Sequence, residues 1–237
     1  MIKIIWTYNK NIHSDKNIIK NIEAYYKRSI YDAKSFGHST ELYSNDKNFK
    51  NVPNVFNYTD KKILFWDEFK TIPLHNTKDD FLLADGDIIW HQPFNLNKNV
   101  DVLIDSYEVS NWKSLYEIDV NTLSYLGIDK VIPEWDGKKR ASFCTGILCF
   151  NNKDFQLLYL DRYFKFKSFV EQYKHMLDIN KCTHIAAQYL LATIADVKGF
   201  THYAYSKVLR ENNGIYTHYA GNKKINDSFL PNERKYR

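Results

Sequence analysis

The start of the chain alternates between two hydrophobic periods, and that alternation limits the fold more than any other feature. Ile2 to Thr7 form an apolar, β-branched run that reads as a short buried strand, followed by the polar loop Tyr8 to His13. Ile18, Ile19, Ile22, Tyr26, Ile30 and Ala33 then recur at helical spacing with Lys and Glu between them. Ser14 or Asp15 stands where a helix N-cap belongs, and Gly37 stops the pattern as a C-terminal cap does. Thr40 to Tyr43 read as a second strand, closed by the turn residues Ser44, Asn45 and Asp46.

The alternation continues downstream. Ile63 to Leu74 reads as a short helix interrupted by Pro73, and Phe81 to Ala84 as a buried strand ending in Asp85, Gly86 and Asp87. Phe143 to Phe150 is a third apolar strand, with helical spacing from Phe155 to about Met176. A further helix, capped by Thr183, runs through Ala186, Gln188, Tyr189, Leu191 and Ile194 to a stop near Gly199. Asn111 to Lys139 is the least regular stretch and reads as an insertion over one end of the sheet. Alternating strand and helix units predict an α/β fold in which helices flank a mostly parallel central sheet. With 237 residues, 44% hydrophobic and 16% aromatic, the expectation is one domain over 1–237 with its own core.

Charge excludes some functions. The 33 Lys and Arg against 28 Asp and Glu leave a formal net charge of +5, without the long basic runs of a nucleic-acid arm. That balance suits a small anionic ligand, and nucleic acid is not an expected partner. Cys144, Cys149 and Cys182 cannot all pair internally, and the first two point to opposite faces of their strand, so reduced thiols are expected. There is no signal-peptide pattern at the start and no run near the ~20 apolar residues of a membrane span. A cytoplasmic protein without a transmembrane segment is the expectation.

Asp85 and Asp87 sit where the chemistry of an open α/β sheet concentrates, at the carboxyl end of a strand. Carboxylates at i and i+2 on extended backbone point the same way, and Gly86 lets the chain approach a ligand closely. Beside a buried strand the pair repels itself unless a cation compensates it. Two hard oxygen ligands suit Mn²⁺ or Mg²⁺, which can at the same time hold the oxygens of a diphosphate.

His218, Gly221 and Lys224 form an HxxGxxK pattern near the C-terminus. With only 8 His and 8 Gly in the chain, it recurs by chance far more rarely than an Asp-x-Asp spacing. An imidazole can complete the coordination of a metal held by two carboxylates. A glycine lets backbone amides meet phosphate oxygens, and a lysine neutralises a leaving diphosphate.

With these two motifs the sequence resembles the GT-A class of nucleotide-sugar-dependent glycosyltransferases, in particular glycosyltransferase family 8. The stretch Phe81 to Phe94, FLLADGDIIWHQPF, is similar to the family's DxD segment, and Ser142 to Asn152, SFCTGILCFNN, to its strand that begins with an Asn-x-Gly element. The resemblance implies a GT-A-like, Rossmann-like fold. It implies Mn²⁺ held by Asp85, Asp87 and His218, with Gly221 and Lys224 on the donor diphosphate. It also places Gln188 near the anomeric carbon, so that Asp87, Gln188 and Lys224 carry the catalytic roles. Two positions depart from the family: Cys144 stands where Asn is usual, and Ala187 where an Asp precedes the Gln. The lost Asn and Asp are sugar contacts in the family, so the donor sugar does not carry over.

The implied reaction transfers a sugar, with retention of configuration, from a nucleotide diphosphate donor to an unspecified glycan, protein or lipid. UDP is the nucleotide by family association. The leaving diphosphate gathers negative charge, so a divalent cation and Lys224 are the help it needs, and no protein base is essential. Thr7, Tyr8 and Asn9, in the loop after the first strand, are candidates for the nucleobase, where Tyr8 either stacks on the base or packs on the first helix. Lys70 and Arg140 are candidates for sugar or phosphate contact. A noncatalytic nucleotide- or carbohydrate-binding protein of the same fold, and a Mg²⁺-dependent phosphatase or nuclease, are the alternatives.

Overall fold

The computed structural model describes residues 1–10, 16–49, 52, 54–57, 63–108, 116–207 and 213–219. β1 (Lys3–Tyr8) leads through α1 (Lys16–Ser35) to β2 (Ser39–Ser44), and the two strands pair in parallel with Tyr8 level with Ser44. The expected caps Ser14 and Asp15 lie outside the described residues, while Gly37 takes the left-handed conformation (φ 82°) that ends the helix. β3 (Val55–Asn57) extends the sheet beyond β2, and β4 (Phe81–Ala84) lies on the other side of β1, both in parallel.

After β4 come the short β5 (Ile88–Trp90), then β6 (Val102–Glu108), β7 (Ser142–Phe150), β8 (His202–Ala204) and β9 (Tyr216–His218). The seven-stranded sheet has the order β3-β2-β1-β4-β7-β6-β8, and among its strands β7 alone runs against its neighbours. The expected mostly parallel sheet with flanking helices is therefore what the chain forms. β5 and β9 stand apart as an antiparallel pair.

The sheet is buried on both faces, which is why its strands read as continuous apolar runs. Ile5, Leu83, Ile104 and Leu148 belong to a large core shared with the helices of the second half. Ile4, Trp6, Leu82 and Ile147 face the other layer with Ile22 and Ile30 of α1, and Trp6 Nε1 donates to Ser29 Oγ at 3.1 Å.

Several boundaries differ from the sequence reading. A 3₁₀ turn, Glu68–Lys70, leads into α2 (Thr71–Asn76), so Pro73 occupies the first turn rather than breaking a longer helix. A missing N–H removes no intrahelical bond there. The expected insertion contains α3 (Glu117–Tyr125), and its Val120, Leu123, Ile128 and Trp135 are part of the main core. α4 (Lys153–Gln172) is capped by Asn152, whose side chain accepts from the amides of Asp154 and Phe155. Asp178, not Thr183, caps α5 (Ile179–His184); Thr183 is inside the helix, donating to the Ile179 carbonyl at 3.1 Å. A π turn, Ile185–Tyr189, then joins α5 to α6 (Leu190–Lys198), which ends at Gly199. The three cysteines are free and buried. Among the described residues no helix is long and apolar enough to cross a membrane.

Candidate metal and diphosphate site

Parallel pairing puts the carboxyl ends of β1, β2 and β4 along one edge of the sheet, and Asp85 is the first residue past β4. Its amide donates to the Gly146 carbonyl (2.8 Å), and the Ile88 amide donates back to the Asp85 carbonyl (3.2 Å). A tight turn at Gly86 and Asp87 results. A Cβ on Gly86 would lie 2.1 Å from the Tyr26 ring, so the close approach this glycine permits here is that of α1. Tyr26 is fixed in turn by its hydroxyl, which donates to the Thr7 carbonyl at 2.7 Å.

β9 delivers the third member. Ile88 pairs with His218, and the Tyr219 amide donates to the Asp87 carbonyl at 3.0 Å. Ligand atoms of Asp85, Asp87 and His218 all fall within 4.8 Å of one another. His218 Nε2 lies 3.4 Å from Asp87 Oδ1, with both side chains buried.

His218 is held from behind by Asp105, which sits at the register shift of β6 between Ile104 and Ser106. Bulges re-aim side chains next to sites of this kind. Asp105 Oδ2 is 2.7 Å from His218 Nδ1, and its Oδ1 accepts from the Tyr216 hydroxyl at 2.6 Å. The imidazole passes directly over Gly146, where a Cβ would lie 2.4 Å from Cε1. Burial alone would lower the His218 pKa, yet Asp87 and Asp105 outweigh it and raise it well above the usual histidine value. The two carboxylates face the ring from opposite nitrogens, Asp105 at Nδ1 and Asp87 at Nε2.

Lys70 Nζ reaches Asp85 Oδ1 at 2.8 Å and the Thr145 carbonyl at 3.0 Å. Burial opposes its charge, and the Asp85 carboxylate more than offsets this. Behind it Asp67 is buried and accepts from the Tyr163 hydroxyl at 2.8 Å; desolvation pushes its pKa up to about 7.

The other sequence candidates are placed as follows. Gln188 lies in the π turn, where Oε1 accepts from the Tyr116 hydroxyl at 2.6 Å. Tyr8 is buried and meets Tyr26 of α1 and Phe49 edge-on, with centroids 5.1 and 5.2 Å away. Asn9 Oδ1 accepts from Asn45 Nδ2 at 2.8 Å. Arg140 is engaged by Asp136 and Asp196. Gly221 and Lys224 lie outside the described residues. Sequence reasoning missed Asp105, Gly146 and Tyr216. An acid in the apolar run Val102 to Ile104 was the available signal for the first, and Gly146 is the glycine of the Cys144-Thr145-Gly146 element.

The chemistry of this donor set fits a divalent cation: two carboxylates and an imidazole converge, with a third carboxylate orienting the imidazole. No family model matches the sequence, and no curated protein matches it. Solved structures similar to the chain include the galactosyltransferase LgtC in complex with donor and acceptor sugar analogs (12% identity, 78% of this chain and 70% of that one, TM-score 0.42). The glycosyltransferase GlyE of Streptococcus pneumoniae TIGR4 is similar at 13% identity over 86% of this chain, with a TM-score of 0.46. The chain spans 44% of GlyE's length. Mouse xyloside xylosyltransferase 1 is similar at 8% identity over 86% of this chain and 84% of its own, with a TM-score of 0.44.

Proposed function

We propose that the chain is a metal-dependent glycosyltransferase of the GT-A type, close to family 8, acting as a single cytoplasmic domain. It moves a sugar from a nucleotide diphosphate, UDP by resemblance, to a glycan, protein or lipid acceptor with retention. The observation that carries the reading is the convergence of the DxD pair and His218, two motifs from different halves of the sequence, within 4.8 Å.

Asp85, Asp87 and His218 hold Mn²⁺ or Mg²⁺. The cation supplies Lewis-acid stabilisation of the diphosphate charge. Asp105 keeps the imidazole in place, and Lys70 neutralises Asp85 from the sheet side. Gly221 and Lys224 meet the diphosphate. Thr7, Tyr8 and Asn9 border the nucleobase, with Tyr8 as a packed wall. Gln188 faces the transferred sugar, its oxygen accepting from Tyr116 and its amide group a donor for a sugar hydroxyl or the acceptor.

Titration with UDP, with and without Mn²⁺, tests the site; release of UDP from a panel of UDP-sugars tests turnover. Binding is expected to need the metal. Asp85→Asn and Asp87→Asn each lower turnover roughly a hundredfold or more, the loss of several kcal/mol of charge stabilisation. Wild-type turnover in Asp87→Asn overturns the proposal. Metal-dependent UDP binding with no turnover of any UDP-sugar establishes the noncatalytic alternative instead.

A further inference from the structure

Cys144 occupies the position at which the resembling family carries a sugar-contacting Asn, yet its thiol is buried in β7 beside Asp105 and His218. The Cys144 Sγ, an Asp105 oxygen and a His218 nitrogen lie within 4.8 Å of one another. A thiol, an imidazole and one carboxylate make a donor set for a borderline-soft ion, unlike the oxygen-rich pair Asp85 and Asp87. Tetrahedral zinc needs ligand atoms roughly 3.2 to 3.6 Å apart, given metal–ligand bonds of about 2.0 to 2.3 Å. Asp105 Oδ2 and His218 Nδ1, now 2.7 Å apart, would have to separate by about half an ångström or more to admit an ion between them.

We propose that Asp105, Cys144 and His218 form a second, thiol-containing cation site for Zn²⁺ or a similar thiophilic ion, and that filling it antagonises the Asp85–Asp87 site. The antagonism follows from the imidazole. His218 presents Nδ1 to Asp105 and Nε2 to Asp87. A neutral imidazole has one nitrogen lone pair to offer and keeps a proton on the other nitrogen. An ion taken at Nδ1 therefore leaves Nε2 protonated and unable to ligate a cation beside Asp87. Binding also releases the Cys144 thiol proton, because the thiolate is the ligand. The level neighbour of Cys144 across the β6–β7 pair, Ser106, has a buried hydroxyl with no protein partner among the described residues, which keeps this corner polar. The site stands on its own side chains whether or not the chain transfers a sugar.

Cadmium reports thiolate ligation through an ultraviolet charge-transfer band, and Mn²⁺ binding can be followed by electron paramagnetic resonance. Wild-type protein is expected to bind one Cd²⁺ with that band. The band disappears in Cys144→Ser and Cys144→Ala, weakens at least tenfold in apparent affinity in Asp105→Asn, and persists in Asp85→Asn. Zn²⁺ raises the apparent Mn²⁺ dissociation constant at least tenfold in wild type and much less in Cys144→Ser. A band that survives in both Cys144 variants, or zinc antagonism unchanged by them, overturns the proposal, as does the absence of any band in wild type. Absence of sugar transfer leaves these readouts unaffected.

Discussion

Gly146 decides whether His218 can be where it is. A side chain there would put Cβ 2.4 Å from the imidazole Cε1, far inside van der Waals contact, and the obstacle would be a ring already pinned by Asp105. Gly146→Ala is expected to push the ring off its line to Asp87 and to weaken Mn²⁺ binding about 10- to 100-fold, the usual cost of disturbing a ligand's support. Overpacking should also cost about 1–3 kcal/mol of stability. Parallel Mn²⁺ titration and urea unfolding measure the two effects, and an unchanged Mn²⁺ affinity would contradict the steric account. The convergence of Asp85, Asp87 and His218 was legible because the Asp-x-Asp and HxxGxxK patterns have recognisable spacings. Asp105 and Gly146 were not, because one acts through a hydrogen bond to another ligand and the other through the absence of atoms.

β1, β2, β4, β7 and α1 were all legible within a few residues, whereas the seven-residue β6 was not, because Asp105 and Ser106 interrupt its apolar run. The three-residue strands β3, β5, β8 and β9 span too few positions for any alternation to register. That loss matters, since β5–β9 pairing is what brings His218 to Asp87. Caps were legible only in part: Thr183 has the right chemistry at the wrong place, and Asp178 wins because its side chain meets two free amides at the first turn. Asn152 illustrates what such a cap contributes. Besides receiving two α4 amides, its Nδ2 donates to Asp101 Oδ1 at 2.7 Å, tying the start of α4 to the residue before β6. Asn152→Ala is expected to lower stability by about 1–2 kcal/mol, read as a lower urea midpoint with an unchanged slope.

At the scale of the whole molecule, Asp67 is a buried acid whose ionisation opposes folding. Asp67 joins the 3₁₀ turn under the site to α4 through the Tyr163 hydroxyl. Desolvation lifts its pKa to about 7, against 3.8 in the unfolded chain, and the attraction of Lys70 offsets only part of that. Between those two values the folded protein keeps a proton that the unfolded chain has released. The stability attributable to Asp67 is therefore whole at low pH, falls as pH rises from about 4 to about 7, and stays lost above. The full difference is about 4 kcal/mol as an upper bound. Asn in its place still accepts from Tyr163 but cannot ionise. Asp67→Asn is thus expected to gain in urea midpoint relative to the wild type as pH rises from 5 to 8, whereas an offset equal at both pH values would mean that Asp67 is ionised in the folded protein throughout. This dependence reaches beyond one element, because the buried carboxyl is bonded to Tyr163 of α4 and its charge partner Lys70 is itself held by Asp85 at the end of β4.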